Sequence, residues 1–217
     1  KEKVSNINFK FNHKENKTNL YEAFFKYQNL LISSEILKIK NENNNYFVDG
    51  NIKNSKSNIS SALISKYLNN INLKNLILSS NSNFSFNISK NYKLKDFKIK
   101  SNINLNNAEL YYDNKTLKKI FPDLKKKIKI KNNKLTVDYD KYLIIDGKGE
   151  FHGSKNQESI DYNIKKIKDN INLNLKLSLN ETPVKIELLD FYKKEKVNGK
   201  LNISLVKNKD FLLLKNL

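Results

Sequence analysis

Between residues 105 and 153 the chain reads LNNAELYYDNKTLKKIFPDLKKKIKIKNNKLTVDYDKYLIIDGKGEFHG, and most of it alternates apolar with polar. Ile128 and Ile130 are separated by Lys127, Lys129 and Lys131. Leu135, Val137 and Tyr139 are separated by Thr136 and Asp138. A period of two places successive side chains on opposite faces of a strand, so these segments predict a sheet with one apolar face and one charged, wet face. The rest of the chain repeats the pattern. Phe84, Phe86 and Ile88 alternate with Ser85 and Asn87, and Ile160, Tyr162 and Ile164 share a face. Ile171, Leu173, Leu175, Leu177 and Leu179 alternate with Asn172, Asn174, Lys176 and Ser178.

Taken in order, Ile7, Phe9 and Phe11 predict an opening strand. Residues 18–33 fit a helix through Leu20, Phe24, Tyr27 and Leu31, or a strand through the aromatic density of residues 24–27. We take a strand from about Phe24 that runs on through residues 36–40. The Asn tract at 41–45 predicts a turn, because Asn tolerates positive φ, and residues 46–53 return as its partner strand. Residues 60–68 predict a helix with Leu63, Ile64, Tyr67 and Leu68 as its apolar stripe and Ser57, Asn58 or Ser60 as its cap. This helix, near residues 58–70, is the one place where a single segment spanning 1–217 would subdivide. Strands follow at 71–80, 83–89 and 94–112. A helical turn at 116–121 is halted by Pro122. Further strands are predicted at 159–167, 170–179 and 197–206, with a short helix or irregular cap at 184–193 after Pro183. With 5 Gly and 2 Pro in the chain, tight two-residue hairpins should be few and strands long. Asp49-Gly50 and Asp146-Gly147 read as hairpin turns or strand bulges. Asn-Ile-Asn-Leu recurs from Asn70, Asn102 and Asn170, a match that biased composition produces by chance.

That bias also governs the reading of charge. The net charge of +19 comes from 41 basic residues, all Lys, beside 38 Asn. Such usage is that of an AT-rich genome, which writes Lys where others write Arg, and the Lys-studded strands are read as solvated faces. Without Arg there is no bidentate fork for guanine, so no specific nucleic-acid partner is expected. Zero Cys excludes a disulfide framework and thiolate chemistry. No apolar run approaches the length of a membrane span.

Candidate chemistry is sparse. His13 and His152 have no nucleophile or carboxylate at a recognisable spacing. Asp138 and Asp140 share a strand face but supply too few oxygens for calcium. No phosphate loop, metal box or nucleophile elbow is present. We therefore expect no enzyme, no cofactor and no metal.

From Leu105 onward the order of features resembles the central region of the large bacterial AsmA-like proteins, in particular the TamB-related YhdP branch. The residues that carry the resemblance are AELYYD (108–113), KKIFPDLKKKIKIKNNKLTVDYD (118–140) and IIDGKGEFHG (144–153). They continue in TPVKIELLDFYKKEKVNGKLNISL (182–205), with Pro183, Leu188, Leu189, Gly199, Leu201 and Ile203 at the pattern positions. The likeness covers the C-terminal half well and the N-terminal half in style only, and Trp, Gly and Pro are scarcer here than in the family. It implies a mainly β fold: a long, strongly twisted antiparallel open sheet curled into a groove, with two or three short helices. It implies an internal fragment of a periplasmic, inner-membrane-anchored protein that passes phospholipids to the outer membrane. The partners so implied are phospholipid acyl chains, with both membranes reached through regions outside this segment, and the expected state is a monomer.

A sixteen-carbon tail in water costs roughly 12 kcal/mol, at about 0.8 kcal/mol per methylene. A curled sheet with an apolar concave face would remove most of that barrier. The lining residues expected are Phe84, Phe86, Ile103, Leu105, Val137, Leu173, Leu175, Leu177, Leu201 and Ile203. Paired charges at Leu175 and Ile203 are expected to block transfer without unfolding. The rival expectation is a β-solenoid scaffold or adhesin with a closed, dry core.

Overall fold

The computed structural model describes residues 4–27, 30–43, 45–60, 63–65, 72–112 and 115–216. Among them, twelve strands form one antiparallel sheet in which neighbours in sequence are neighbours in space. The first six are β1 (Val4–Lys14), β2 (Lys17–Tyr27), β3 (Leu30–Glu42), β4 (Asn45–Ile59), β5 (Asn72–Ile88) and β6 (Leu94–Tyr111). After a helix α1 (Lys115–Ile120) come β7 (Lys127–Tyr139), β8 (Leu143–His152), β9 (Glu158–Ile167) and β10 (Asn170–Leu179). A two-stranded ribbon, β11 (Val184–Ile186) and β12 (Phe191–Lys193), interrupts the meander before β13 (Gly199–Lys207) and β14 (Leu212–Asn216). The sheet does not close into a barrel: β1 and β14 are its two edges.

Alternation in sequence becomes rows across this sheet. Ile103, Leu135, Gly147, Tyr162, Leu175 and Ile203 are successive cross-strand partners from β6 to β13. Beside them runs Ser101, Val137, Ile145, Ile164, Leu173 and Leu205. Residues opposite one another in an antiparallel pair share a face, so these rows make one face apolar. The intervening row, Asn102, Thr136, Asp146, Asn163, Asn174 and Ser204, makes the other face polar.

Several expectations are corrected. Tight hairpins are common: Lys14 pairs with Lys17, Glu42 with Asn45 and Asn170 with Ile167, each across two residues. Gly scarcity misled because Glu15, Asn43 and Lys168 take the positive φ, at 51–54°. The strand expected to run from Phe24 through residues 36–40 is two strands, β2 and β3, with residues 28–29 between them outside the described set. The strands expected at 71–80 and 83–89 are one, the 17-residue β5, while Ile71 lies outside the described residues. The cap at 184–193 is β11, a 3-10 turn at Glu187–Leu189 and β12. Asp49-Gly50 and Asp146-Gly147 are no turns: both pairs lie inside strands, Asp146-Gly147 in ladders of regular register and Gly50 beside the register shift of β4 against β3, where the bulge alternative applies. Of the helix expected at 60–68, residues 63–65 are helical, and Ser60 is its cap: the Leu63 N–H donates to Ser60 Oγ at 3.3 Å. Residues 61–62 and 66–68 lie outside the described set.

Five residues inside strands also take positive φ: Asn6, Glu22, Asn75, Asp96 and Asn132. Each sits at or beside a register shift of its strand pair. Such bulges bend a strand and raise its local twist. Between β7 and β8 the bulge is filled from the sheet itself. The buried Asn133 side chain donates to the Lys131 carbonyl at 2.8 Å and the Glu150 carbonyl at 3.2 Å. It lies over Gly149, where a Cβ would come within 2.2 Å of Asn133 Cγ.

Candidate functional site: an apolar cavity on one sheet face

Packing is concentrated at one end of the apolar face. Leu177, Leu179, Val184 and Leu201 form a buried cluster, with Ile120, Phe121, Phe151, Ile160, Leu175, Ile186 and Ile203 packed against it. The sequence builds this end through an excursion between β6 and β7. The Tyr112 N–H donates to the Lys126 carbonyl at 2.8 Å and closes its base, while the Lys125 N–H donates to the Gly153 carbonyl at 2.7 Å. Within the excursion α1 runs until Pro122, which has no N–H to continue it.

Between the sheet and this excursion lies a cavity of about 460 Å³. Leu105, Ile130, Phe151, Tyr162, Leu175 and Leu177 belong to its sheet-side wall, and Leu117, Phe121 and Leu124 come from the excursion. Among the described residues its polar lining is Asn133, Ser154, Thr182 and the hydroxyl-bearing Tyr162. The volume falls within the range of small-molecule pockets.

All ten residues expected to line a groove stand on this face, but in four settings. Leu105, Leu175 and Leu177 line the cavity. Leu201 belongs to the buried cluster, as Leu177 also does, and Ile203 packs against it; these are core contacts rather than open surface. Ile103, Val137 and Leu173 lie in the adjoining rows, half-buried. Phe84 and Phe86 lie at the far end, stacked with ring centroids 5.8 Å apart. From Phe86 the aromatic strip continues through Phe97 at 6.4 Å to Tyr139 at 6.1 Å from Phe97. The excursion residues Leu117, Phe121 and Leu124 were missed by sequence reasoning. Their spacing shows a turn of helix, but nothing in it says that the turn folds back over the sheet.

A buried carboxylate holds the cavity-lining Thr182 from behind. Glu158, 1% exposed, accepts from the N–H groups of Asn180 (2.6 Å), Glu181 (3.1 Å) and Thr182 (2.9 Å), and from the Thr182 hydroxyl (2.7 Å). Burial pushes its carboxyl up, but these four donors outweigh burial and hold it below the usual carboxylate value. Ser154 Oγ lies 3.0 Å from Thr182 Oγ1. Behind them the buried Lys193 ammonium donates to the Thr182 carbonyl at 2.7 Å. Tyr162 faces the cavity from β9, and burial raises its hydroxyl above the ordinary value, so it stays neutral.

The opposite face carries a shallow trough of about 640 Å³, bordered by Lys134, Lys148 and Lys176 with Asp146 and Asp161 among them. Asn163 donates to Asp146 at 2.7 Å, and the Ser204 hydroxyl to Asn174 at 2.9 Å. Toward its end Glu109 meets Lys127 at 2.6 Å and accepts from Asn75 at 2.8 Å. The Lys127 hydrogen bond holds the Glu109 carboxyl below its ordinary value against the opposing effect of burial. His13 Nδ1 is 2.8 Å from the Thr18 hydroxyl. Asp140 pairs with Lys98 at 3.2 Å, and among the described residues no cluster of metal-ligating side chains is found. No helix among them is long and apolar enough to cross a membrane. No known protein family, curated protein or solved structure matches the chain.

Proposed function

We propose that this chain is a segment of an AsmA-like, YhdP-type hydrophobic β-groove that conducts phospholipids between the inner and outer membranes. In this reading it works in the periplasm as a monomer without catalytic activity, anchored by a region outside the segment. Acyl chains lie on the apolar face and head groups stay in water. The observation that carries the reading is the 460 Å³ apolar cavity, which adjoins rows of half-buried apolar side chains on a sheet that is not closed. A globular sheet of this size normally buries such a face against a second layer. Here the covering layer among the described residues is confined to one end. Burying a single acyl chain of sixteen carbons would recover most of roughly 12 kcal/mol of transfer free energy.

The test is lipid content. The chain purified from a lipid-containing host should carry acyl lipids detectable by mass spectrometry, and delipidated protein should take up a fluorescent fatty amphiphile saturably. Leu105→Asp should abolish both while leaving the far-ultraviolet circular dichroism unchanged, because Leu105 lines the cavity without belonging to the buried cluster. Leu175 and Ile203, cross-strand partners that both pack on the cluster, are poorer probes than expected: charges there would also unpack the core. Lipid-free protein with no saturable uptake would sink the groove and favour a closed scaffold.

A further inference from the structure

Hydrogen positions at the polar end of the cavity are fixed by counting donors. Glu158 is surrounded by donors only: three backbone N–H groups and the Thr182 hydroxyl. An ionised carboxylate has no proton to give, so the single Thr182 hydroxyl proton is committed to Glu158 at 2.7 Å. The 3.0 Å contact between Ser154 and Thr182 therefore runs one way, with the Ser154 hydroxyl donating and Thr182 Oγ1 accepting. Both hydroxyl protons are then used, and Ser154 Oγ is left with lone pairs alone. Ser154 and Thr182 are both buried and both line the cavity.

We propose that this end of the cavity selects an acyl or alkyl chain that ends in a neutral hydrogen-bond donor, a hydroxyl or an amide N–H, which Ser154 Oγ accepts. The inference rests only on the cavity's taking up an apolar chain, as read above. It concerns single-chain amphiphiles held at this closed end, not the phospholipids proposed to pass along the open face. A free fatty-acid carboxylate fits badly for two reasons. It brings acceptors to an acceptor, and it would be desolvated beside a buried carboxylate of the same sign. Lys193 does not compensate, since its ammonium donates to the Thr182 and Lys194 carbonyls and is not among the cavity-lining residues. An ester lacks a donor and should bind through its chain alone.

Displacement of N-phenyl-1-naphthylamine by three probes of equal chain length, 1-dodecanol, methyl dodecanoate and dodecanoate, tests this on the intact chain at pH 7. Dodecanol should bind about fivefold to tenfold tighter than the ester, the worth of one hydrogen bond, and dodecanoate weaker than either. Ser154→Ala should remove the preference for dodecanol over the ester; the wild-type ranking is decisive even should that variant fold poorly. Equal binding of all three, or dodecanoate tightest, would overturn the selectivity and leave the cavity reading intact. Binding of none would overturn both.

Discussion

At the residue scale, the glycines of this chain make room for neighbours. At Gly147 an added Cβ would come within 2.2 Å of Tyr162 Cζ, and at Gly50 within 2.6 Å of Leu37 Cδ2. The sequence shows Gly recurring within strands, yet the cross-strand side chain that needs the space is a matter of register and could not be read from spacing. The Tyr162 ring over Gly147 forms part of the cavity wall. Gly147→Ala should therefore cost about 1–3 kcal/mol, the usual range for overpacking, measured as the urea midpoint at constant slope. In Tyr162→Ala the ring is gone and the same Gly147→Ala change should be nearly neutral. A coupling below about 0.5 kcal/mol in this double-mutant cycle would mean that Tyr162 is not what Gly147 accommodates.

At the element scale, the strands were legible and the turns were not. A period of two identifies β9, β10 and β13 within a few residues, because one face must be apolar to pack at all; at 127–131 and 135–139 it suggested two strands, which the structure joins into the single β7. Turn residues carry no comparable signal here. The composition suggested few tight hairpins, and the chain makes them with Glu15, Asn43 and Lys168 at φ values that cost a non-glycine residue roughly 1–2 kcal/mol. Lys168→Gly places a permissive residue in the β9–β10 turn, where the sequence becomes Gly-Asp, a preferred two-residue loop. Glycine's larger unfolded-state entropy offsets part of the relief. The net expectation is a gain of about 0.5–1 kcal/mol, seen as a higher melting temperature. An unchanged or lower value would show that the turn holds no strain at that position. The helix α1 was anticipated from Pro122, but its place over the sheet follows from the Tyr112–Lys126 closure, a contact that no local pattern encodes.

At the scale of the whole molecule, an open sheet with net charge +19 is held together at its packed end partly by carboxylates, and acid should find that weakness. The carboxyl groups of Glu158 and Glu109 are held below the ordinary value of 4.5, Glu158 against burial by four hydrogen bonds and Glu109 chiefly by Lys127. The exposed Glu35 and Glu187 are lowered too, by their hydrogen bonds to Lys53 and Lys185. A group whose pKa falls on folding adds stability that is fully present above its unfolded value and is lost as pH drops through its folded value. The window therefore opens near pH 4.5 and extends below it. Protonating carboxylates there also raises the positive charge and its self-repulsion. Glu158 should dominate, since its partners at Asn180, Glu181 and Thr182 tie the start of β9 to the loop that follows β10. Thermal melts between pH 3 and pH 7 should be nearly flat above pH 5 and fall steeply below 4.5. Glu158→Gln should lower stability at pH 7 by about 1–3 kcal/mol, through a buried donor left unpaired, and flatten the acid slope. Added salt should soften the fall that comes from net charge but not the part that belongs to buried Glu158. An acid transition unchanged in Glu158→Gln would place the weak point elsewhere, at the Glu109–Lys127 pair on the polar face.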